Sequence, residues 1–256
     1  MIPYFELEAL PLPGGISLAV FGTLVAVGLF AGVLFAESRA RVVGIPAQEL
    51  HAAIGWALVP GFAVAHLVAL LSGVGQGVDW SPGVLLAFWN GMSSFGGFAG
   101  AFLGLAFRYR RRRASLLAVA EVLVQALVVG WAFGRLGCTL VHDHLGRPSD
   151  FWLAIRFPGG ARHDLGFYEL LFTLGVLLPV VFVLNRRPRP PGATLAWLAL
   201  LYAPARFLGE FLRQTDLPGA DPRYLGLTVA QYGCIALAWV GVVFARRVRR
   251  QAARGT

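Results

Sequence analysis

The chain has 256 residues, of which 57% are hydrophobic and 14% are charged, and its mean hydropathy is +0.67. A soluble globular domain carries roughly 25% charged residues, so this composition excludes an ordinary soluble protein and indicates one that crosses a membrane. The net charge of +9 comes from 22 basic residues, all of them arginine. No nucleic-acid-binding motif or aromatic interleaving accompanies them, so we expect no nucleic-acid partner.

Apolar segments that approach the roughly 20 residues of a membrane span follow one another along the chain. They lie at about 16–37, 51–72, 84–107, 114–133, 167–185, 193–212 and 226–245. The third segment contains Asn90, follows Pro82 and runs into the small residues GMSSFGGFAG. This pattern predicts a break followed by a closely packed helix.

The arginines predict an orientation for these spans. With the N-terminus outside, most arginines fall in cytoplasmic loops and in the C-terminal tail, as the positive-inside rule requires. There we expect them to orient the chain and to contact anionic lipid. The sequence thus predicts an all-α membrane protein, a single domain over residues 1–256. It has about seven transmembrane helices, its N-terminus outside, its C-terminus in the cytoplasm, and a polar outer segment between helices 4 and 5.

The polar outer segment, at about 134–166, is dense in ionisable groups. Its glycines, Gly134, Gly137 and Gly146, let the backbone approach a ligand closely. Its arginines are suited to phosphate because a guanidinium group donates paired hydrogen bonds. The segment therefore predicts a site for an anionic substrate.

The run His142-Asp143-His144 within this segment has three interpretations. It is a general base or phosphate contact with an orienting carboxylate, a pair of metal ligands, or a loop with ordinary hydrogen bonds. A zinc site needs further ligands that the sequence does not indicate, so we expect no metal and no cofactor.

A second polar group lies in the sixth span. Tyr202, Arg206, Glu210 and Arg213 are spaced by four, four and three residues, which places them along one face of a helix. Charged groups at membrane depth usually face a cavity or a partner. The alternative is a structural ion pair between Arg206 and Glu210 that holds the helices together.

Six segments in chain order resemble those of the prolipoprotein diacylglyceryl transferase family. They are PYFELEALPLPGGISLAVFG, GMSSFGGFAG, GRLGCTLVHDHLG, RHDLGFYE, YAPARFLGEFLRQTD and GLTVAQ. The resemblance implies an enzyme of the bacterial inner membrane with its active site towards the outer leaflet. Such an enzyme transfers a diacylglyceryl group from phosphatidylglycerol to the lipobox cysteine of a prolipoprotein, so its partners are phosphatidylglycerol, the prolipoprotein and the bilayer.

The resemblance also implies roles for individual residues. Arg135 matches the arginine that holds the phospholipid headgroup, and Arg206 matches a second essential arginine. The expected catalytic residues, including two histidines that are candidates to replace the family base, are Arg206, His142, Asp143, His144, Glu210 and Tyr202. The expected substrate-binding residues are Arg135, Gly134, Gly137, Arg162, His163, Arg213, Gly96 and Gly97.

The chain departs from the family pattern at several of these positions. Phe95 replaces the histidine of the glycine-rich segment, Cys138 replaces an asparagine, and Asp143 replaces a glutamate. If that histidine is the base of the family, His142 and His144 are candidates to replace it. Two alternatives follow: a transferase with another acceptor, in which Cys138 forms a covalent intermediate, or a non-catalytic protein that binds or transports lipid.

Overall fold

The computed structural model describes residues 1–72, 81, 83, 92–111, 113–187, 189–217 and 220–253. Most of the described chain is helical. The helices are α1 (Val20–Val43), α2 (Ala47–Ser72), α3 (Ser94–Arg108), α4 (Arg113–Val141), α5 (Leu165–Phe172), α6 (Leu178–Leu184), α7 (Ala193–Gly209) and α8 (Val229–Ala253). A π-helical turn, Thr173–Leu177, joins α5 to α6, and a 3-10 turn, Glu210–Leu212, extends α7.

Six helical stretches within the described residues are long and apolar enough to cross a membrane. They are Val20–Val43, Ala47–Leu71, Leu116–Val141, Leu165–Leu184, Ala193–Leu212 and Val229–Ala253. The prediction of a multi-pass helical membrane protein is therefore confirmed. The predicted span at 84–107 lies partly outside the described residues, and its described part is the 15-residue helix α3. The count of seven, the orientation and the single domain stay predictions.

Helix α4 is longer than the sequence predicted. It continues to Val141, so residues 134–141, which we had assigned to the polar segment, form its last two turns. The Thr139 hydroxyl donates a hydrogen bond to the Arg135 carbonyl within this stretch. Glycine and arginine lower the local hydropathy without breaking the helix, which ends where His142 adopts a φ of 52°.

Short strands form one four-stranded sheet and two two-stranded sheets, which the all-α prediction did not include. The strands are β1 (Ile2–Pro3), β2 (Ala9–Leu12), β3 (Ile16–Ala19), β4 (Leu145–Pro148), β5 (Ile155–Phe157), β6 (Gly160–Asp164), β7 (Arg223–Tyr224) and β8 (Leu227–Thr228). The sheet has the order β1-β5-β6-β4, while β2 pairs with β3 and β7 with β8. Strand β1 runs parallel to β5, with Ile2 opposite Ile155. Strands of two to five residues are too short for a period-two pattern to reveal them.

The chain forms two compact units. The first contains residues 1–36 and 124–256, and the second contains residues 37–123. Buried Val128, Leu177, Val181 and Leu198 form a core in the first unit. Ala53, Tyr109 and Val119 form the corresponding core in the second unit.

Glycines of α3 bring it very close to α2 within the second unit. A Cβ atom on Gly96 would lie 2.6 Å from the Val64 carbonyl oxygen, and one on Gly104 would lie 1.9 Å from that of Trp56. Gly100, between them, faces Pro60 in the same way. The closely packed helix predicted from the small residues is confirmed, and Gly96, expected at the substrate, contacts α2.

Candidate active site

A chain of buried ion pairs lies in the first unit, centred on Glu169. Arg135 Nε is 3.0 Å from Glu169 Oε2, and Arg206 Nε is 3.1 Å from Glu169 Oε1. Arg206 Nη1 is also 2.5 Å from Glu210 Oε2. The Glu169 side chain is 12% exposed and that of Glu210 is 1% exposed. One carboxylate thus holds two guanidinium groups side by side.

Three helices supply these side chains. Arg135 lies near the end of α4, Glu169 is in α5, and Arg206 is in the last turn of α7. The predicted spacing along α7 is confirmed, because Arg206 and Glu210 form an i,i+4 ion pair. Tyr202, one turn earlier, donates its hydroxyl hydrogen to Glu169 Oε2 at 3.3 Å. The ion pair between Arg206 and Glu210, one of the two alternatives, is therefore present, and it belongs to a larger polar cluster.

The chain of charges continues from Glu210 to the surface. Arg213 Nε lies 3.9 Å from Glu210 Oε1 and forms a close ion pair with Asp221. Arg223 donates to the Glu210 carbonyl oxygen at 3.5 Å. In the described part of this cluster, three guanidinium groups therefore alternate with three carboxylates, and Arg223 adds a fourth guanidinium group beside a backbone oxygen.

Arg135 has two further contacts on its own helix. Its guanidinium carbon lies 4.3 Å from the centroid of the Trp131 ring, within cation–π range. Its Nη1 donates to Cys138 Sγ at 3.6 Å. Trp131 and Cys138 therefore both contact the Arg135 guanidinium group.

Cys138 is next to an acid and a histidine at the end of α4. His144 Nδ1 is 2.6 Å from Asp143 Oδ1, and one ligand atom from each of Cys138, Asp143 and His144 lies within 4.8 Å of the others. Burial raises the pKa of Asp143, but its hydrogen bonds with His144 and Cys138 and the charges of His144 and Arg135 together outweigh burial, and the pKa lies below its ordinary value. A charged Asp143 orients the His144 ring, and the three donors are of types that hold a transition metal.

His142 points away from this group. Its Nδ1 lies 2.6 Å from Asp164 Oδ2, and its Nε2 donates to the Phe5 carbonyl oxygen at 2.7 Å. Burial raises the pKa of Asp164, which also caps α5 by accepting from the Phe167 amide at 2.8 Å. Both ring nitrogens of His142 are used inside the fold, so it clamps the N-terminal segment and is not free to act as a base.

Arg162 and His163 lie in strand β6 and have separate contacts. His163 Nδ1 is 2.8 Å from the Tyr168 hydroxyl, and burial, with the charge of Arg147, lowers the pKa of His163. His163 and Tyr168 line a pocket of about 450 Å³ with Phe151, Leu153, Leu171 and Leu212. Arg162 donates to the Gly146 carbonyl oxygen and pairs with Asp216.

The three glycines of the predicted anion site differ in their surroundings. A Cβ atom on Gly137 would lie 2.9 Å from the Phe21 ring, and one on Gly146 would lie 2.6 Å from the His163 Cβ. Gly134 has no atom within 4 Å of such a position. Gly137 and Gly146 therefore serve packing inside the fold, while Gly134 faces open space.

Comparison with known proteins places these residues in a family. The model described as "Prolipoprotein diacylglyceryl transferase" matches residues 8–247. This chain belongs to that family.

Relatives of the prolipoprotein diacylglyceryl transferase family support the assignment. Proteins named phosphatidylglycerol–prolipoprotein diacylglyceryl transferase share 34% identity over 176 residues in Polynucleobacter asymbioticus and 32% over 178 residues in Nitratidesulfovibrio vulgaris. The first match covers 65% of both chains, and the second covers 68% of this chain and 67% of the relative. In Francisella tularensis subsp. holarctica, a protein of the same name is 27% identical over 252 residues, 93% of this chain and 86% of its own.

The expected site residues fall into four sets in the structure. Arg135, Tyr202, Arg206, Glu210 and Arg213 are joined through or next to Glu169. Asp143 and His144 lie beside Cys138, which contacts Arg135, while His142, Arg162 and His163 are held by other contacts. Gly96 and Gly97 belong to the other unit.

Glu169 is the residue whose importance the sequence did not reveal. An acid near a helix N-terminus is a common stabilising position, so Glu169 taken alone does not indicate a site. Its membership in the RHDLGFYE segment of the transferase resemblance was the available signal. The ion pairs with Arg135 and Arg206 connect residues far apart in sequence, and a single sequence does not show such pairs.

Proposed function

We propose that this chain transfers a diacylglyceryl group from phosphatidylglycerol to the lipobox cysteine thiol of prolipoproteins. The observation that carries the proposal is the pair of guanidinium groups, Arg135 and Arg206, held together by Glu169. Family membership and the names of the relatives support it. The chain would act in the bacterial cytoplasmic membrane with its site towards the outer leaflet.

The paired arginines suit the leaving group of this reaction. Breaking the bond between the glyceryl carbon and the phosphate oxygen leaves a phosphate monoester with additional negative charge. Guanidinium groups bind such oxygens through paired, charge-assisted hydrogen bonds. Glu169 contacts the Nε atom of each arginine, so it orients Arg135 and Arg206 without occupying all five donors of either group.

The attacking sulfur has to be a thiolate, because a neutral thiol is a poor nucleophile. Phe95 cannot take the proton, and both nitrogens of His142 are already in use. His144, oriented by Asp143, is the remaining one of the two proposed replacements. We therefore assign the thiol-activating function to the end of α4 rather than to the glycine-rich helix α3.

Direct attack by the acceptor is favoured over a covalent intermediate on Cys138. Attack by Cys138 on the glyceryl carbon would form a thioether, and a thioether sulfur is not displaced by a second thiol. The route through Cys138 would therefore stop after one step. A non-catalytic phospholipid-binding protein is the second candidate, because Phe95 replaces the family histidine.

The test uses the purified chain in vesicles that contain phosphatidylglycerol, with a lipobox peptide as acceptor and its Cys-to-Ser form as control. We expect thioether-linked lipid on the cysteine peptide and release of glycerol phosphate. Arg206→Ala should lower the rate about 10²–10³-fold, by analogy with removal of one charge-stabilising donor. Arg110→Ala, which removes an exposed arginine of the second unit, is the matched control and should keep the activity.

Two results would contradict the proposal. Binding of phosphatidylglycerol without transfer to the peptide, by a folded sample, would favour the lipid-binding alternative. Lipid transfer to a different acceptor with the same dependence on Arg206 would favour a transferase of changed specificity.

A further inference from the structure

Cys138, Asp143 and His144 form a compact donor cluster beside the arginines. Their thiol, carboxylate and imidazole each place one ligand atom within 4.8 Å of the other two. The Cys138 residue is 6% exposed, whereas the side chains of Asp143 and His144 are 39% and 22% exposed. The cluster is therefore anchored inside the protein and open on one side.

We propose that these three side chains bind a divalent transition metal ion of the zinc class, whose open fourth position takes the acceptor cysteine thiol. The acceptor part rests on the proposed function, whereas the metal site rests on the cluster itself. The proposal departs from the expectation of no metal, which was based on His142 and His144 as the ligand pair. The structure replaces His142 with Cys138, a helical residue that the sequence did not connect to the two others.

The donor set matches the chemistry of catalytic zinc. Zinc favours nitrogen, sulfur and carboxylate oxygen ligands, and its catalytic sites use three protein ligands and keep one position open. In a tetrahedral site with bonds of about 2.0–2.3 Å, ligand atoms lie roughly 3.3–3.8 Å apart. The atoms here have to approach by about 1.5 Å at most. Asp143 and His144 follow the end of α4 and can make this adjustment without moving the helix.

The charges around the cluster are compatible with a bound cation. Cys138 lies in the last turn of α4, where the helix dipole is negative. The charges of one thiolate and one carboxylate balance a divalent ion, and an added acceptor thiolate makes the group negative by one. Arg135 Nη1, 3.6 Å from Cys138 Sγ, offsets that charge and donates to the ligand sulfur from outside the coordination sphere.

Such a site would supply the function that the substitution of Phe95 removes. Coordination to zinc deprotonates a thiol outright, so His144 would activate the acceptor as a metal ligand and not as a free base. The acceptor proton goes to solvent, and the sulfur electron pair forms a bond to the glyceryl carbon. The carbon–oxygen bond breaks, and its electron pair leaves with the phosphate oxygen. The phosphatidylglycerol monoanion and the thiol thus give the thioether, a glycerol phosphate dianion and one proton.

The first experiment measures metal binding without any turnover. The purified full chain in detergent is titrated with Co²⁺, which gives tetrahedral d–d bands and a near-ultraviolet thiolate-to-cobalt band when a cysteine is a ligand. We expect about one equivalent to bind with both signals and to be displaced by Zn²⁺. Cys138→Ser should remove the charge-transfer band, and His144→Ala should weaken binding at least about 10-fold, in the range reported for metal-site residues.

Cys234→Ser is the matched control, because Cys234 is the other buried cysteine of the chain and is not part of the cluster. Its cobalt spectrum should equal that of the unmodified protein. Absence of the charge-transfer band from the unmodified protein, or its persistence in Cys138→Ser, would overturn the metal site. Thermal unfolding of each variant in the same detergent identifies a variant that has not folded; if Cys138→Ser is such a variant, Cys138→Ala, which adds no charge and no metal ligand, is used in its place.

The second experiment tests the acceptor position. Adding a lipobox peptide to the cobalt-loaded protein should shift the d–d bands and increase the thiolate band, whereas the Cys-to-Ser peptide should not. Removing the metal with a chelator should lower lipidation about 10²-fold or more, as loss of a catalytic proton acceptor does, and Zn²⁺ should restore it.

The two proposals fail in different ways. Full lipidation by the metal-free protein would overturn the metal proposal and leave the transferase function in place. A peptide that does not alter the cobalt spectrum would overturn the acceptor position. Metal binding at Cys138 without lipidation under any condition would instead contradict the transferase function and, with it, the thiol-activating role.

Discussion

Buried ion pairs join helices of the first unit, whereas very close glycine contacts join α2 and α3 in the second unit. In the first unit, Arg135, Glu169 and Arg206 join three helices through ion pairs with almost no exposure to solvent. In the second unit, Gly96, Gly100 and Gly104 let the backbones of α2 and α3 touch. The glycine contacts require residues that have no side chain, whereas the ion pairs require oppositely charged side chains.

This difference shows why motifs of the same family resemblance had different outcomes. The arginine motif predicts a polar cluster whatever the packing of the helices, because buried charges require partners. The glycine motif has two meanings, close approach of a ligand or close approach of a helix, and the sequence does not separate them. At Gly96 the second meaning applies.

The largest expected effect is that of removing the central charge of the first unit. Glu169→Gln keeps the shape of the side chain but leaves Arg135 and Arg206 adjacent without a carboxylate between them. We expect a loss of about 3–5 kcal/mol in the free energy of unfolding, as for other buried ion pairs that lose one partner. Denaturant unfolding in mixed micelles measures it.

The control for this comparison is Glu37→Gln, which removes the exposed partner of His51 in the second unit. An exposed ion pair contributes about 0–1 kcal/mol, so this change should have little effect. Equal losses in the two variants would show that burial does not distinguish the two ion pairs.

The next effect concerns the glycine contact. Gly104→Ala places a methyl group on the Trp56 carbonyl oxygen, so we expect a loss of about 1–3 kcal/mol or more in the free energy of unfolding. Gly97→Ala is the matched control, since its added Cβ atom would lie 3.8 Å from Ala65. It should be neutral or slightly stabilising, because alanine favours the helix. A stable Gly104→Ala variant would contradict the close packing of α2 and α3.

A smaller effect is expected at the start of α8. The Thr228 hydroxyl accepts from the Gln231 amide, and Gln231 Oε1 accepts from the Thr228 amide, which forms a capping box. Thr228→Ala should therefore cost about 1 kcal/mol, and Thr228→Ser should retain most of the stability. Thermal unfolding in detergent checks both, and equal melting temperatures for all three proteins would show that the box contributes nothing.

The smallest effects are those of pH, and they belong to the first unit. The pKa of Asp143 lies below its ordinary value near 3.8, so its contribution to stability is present above that value and is lost as the pH falls through the lowered pKa. The pKa of Asp164 is raised, so its contribution is fully present below 3.8 and is lost as the pH rises through the raised pKa.

Thermal unfolding between about pH 3 and 7 of the Asp143→Asn and Asp164→Asn variants separates these contributions. As the pH falls, the stability of the unmodified protein should decrease relative to Asp143→Asn and increase relative to Asp164→Asn. Asparagine at 164 keeps an oxygen for the cap of α5, so the test isolates the ionisation. Differences of the same sign for both variants would contradict the assigned environments.

Local patterns predicted part of the candidate site, and distant contacts determined the rest. The spacing of Tyr202, Arg206, Glu210 and Arg213 is a property of one helix, and the sequence contains it. The joining of Arg135 to Arg206 by Glu169 depends on the packing of three helices. No periodicity specifies that packing.

The run His142-Asp143-His144 shows a second limit. In an extended segment the two histidines would point the same way, but the end of α4 and the φ of 52° at His142 turn them apart. His142 then contacts Phe5 and Asp164, and His144 contacts Asp143. A single backbone conformation, which the sequence did not predict, decides which histidine is available for chemistry.

Strand β1 also has a consequence for the order in which the protein is assembled. Ile2 pairs with Ile155, and the Phe5 carbonyl oxygen accepts from His142, so the partners of this strand lie about 140–150 residues further along the chain. At a synthesis rate of about 5–20 residues per second, Ile155 follows Ile2 by roughly 8–30 s. Strand β1 is therefore synthesised early and reaches its place late, after three of the six apolar helical stretches described above have been synthesised.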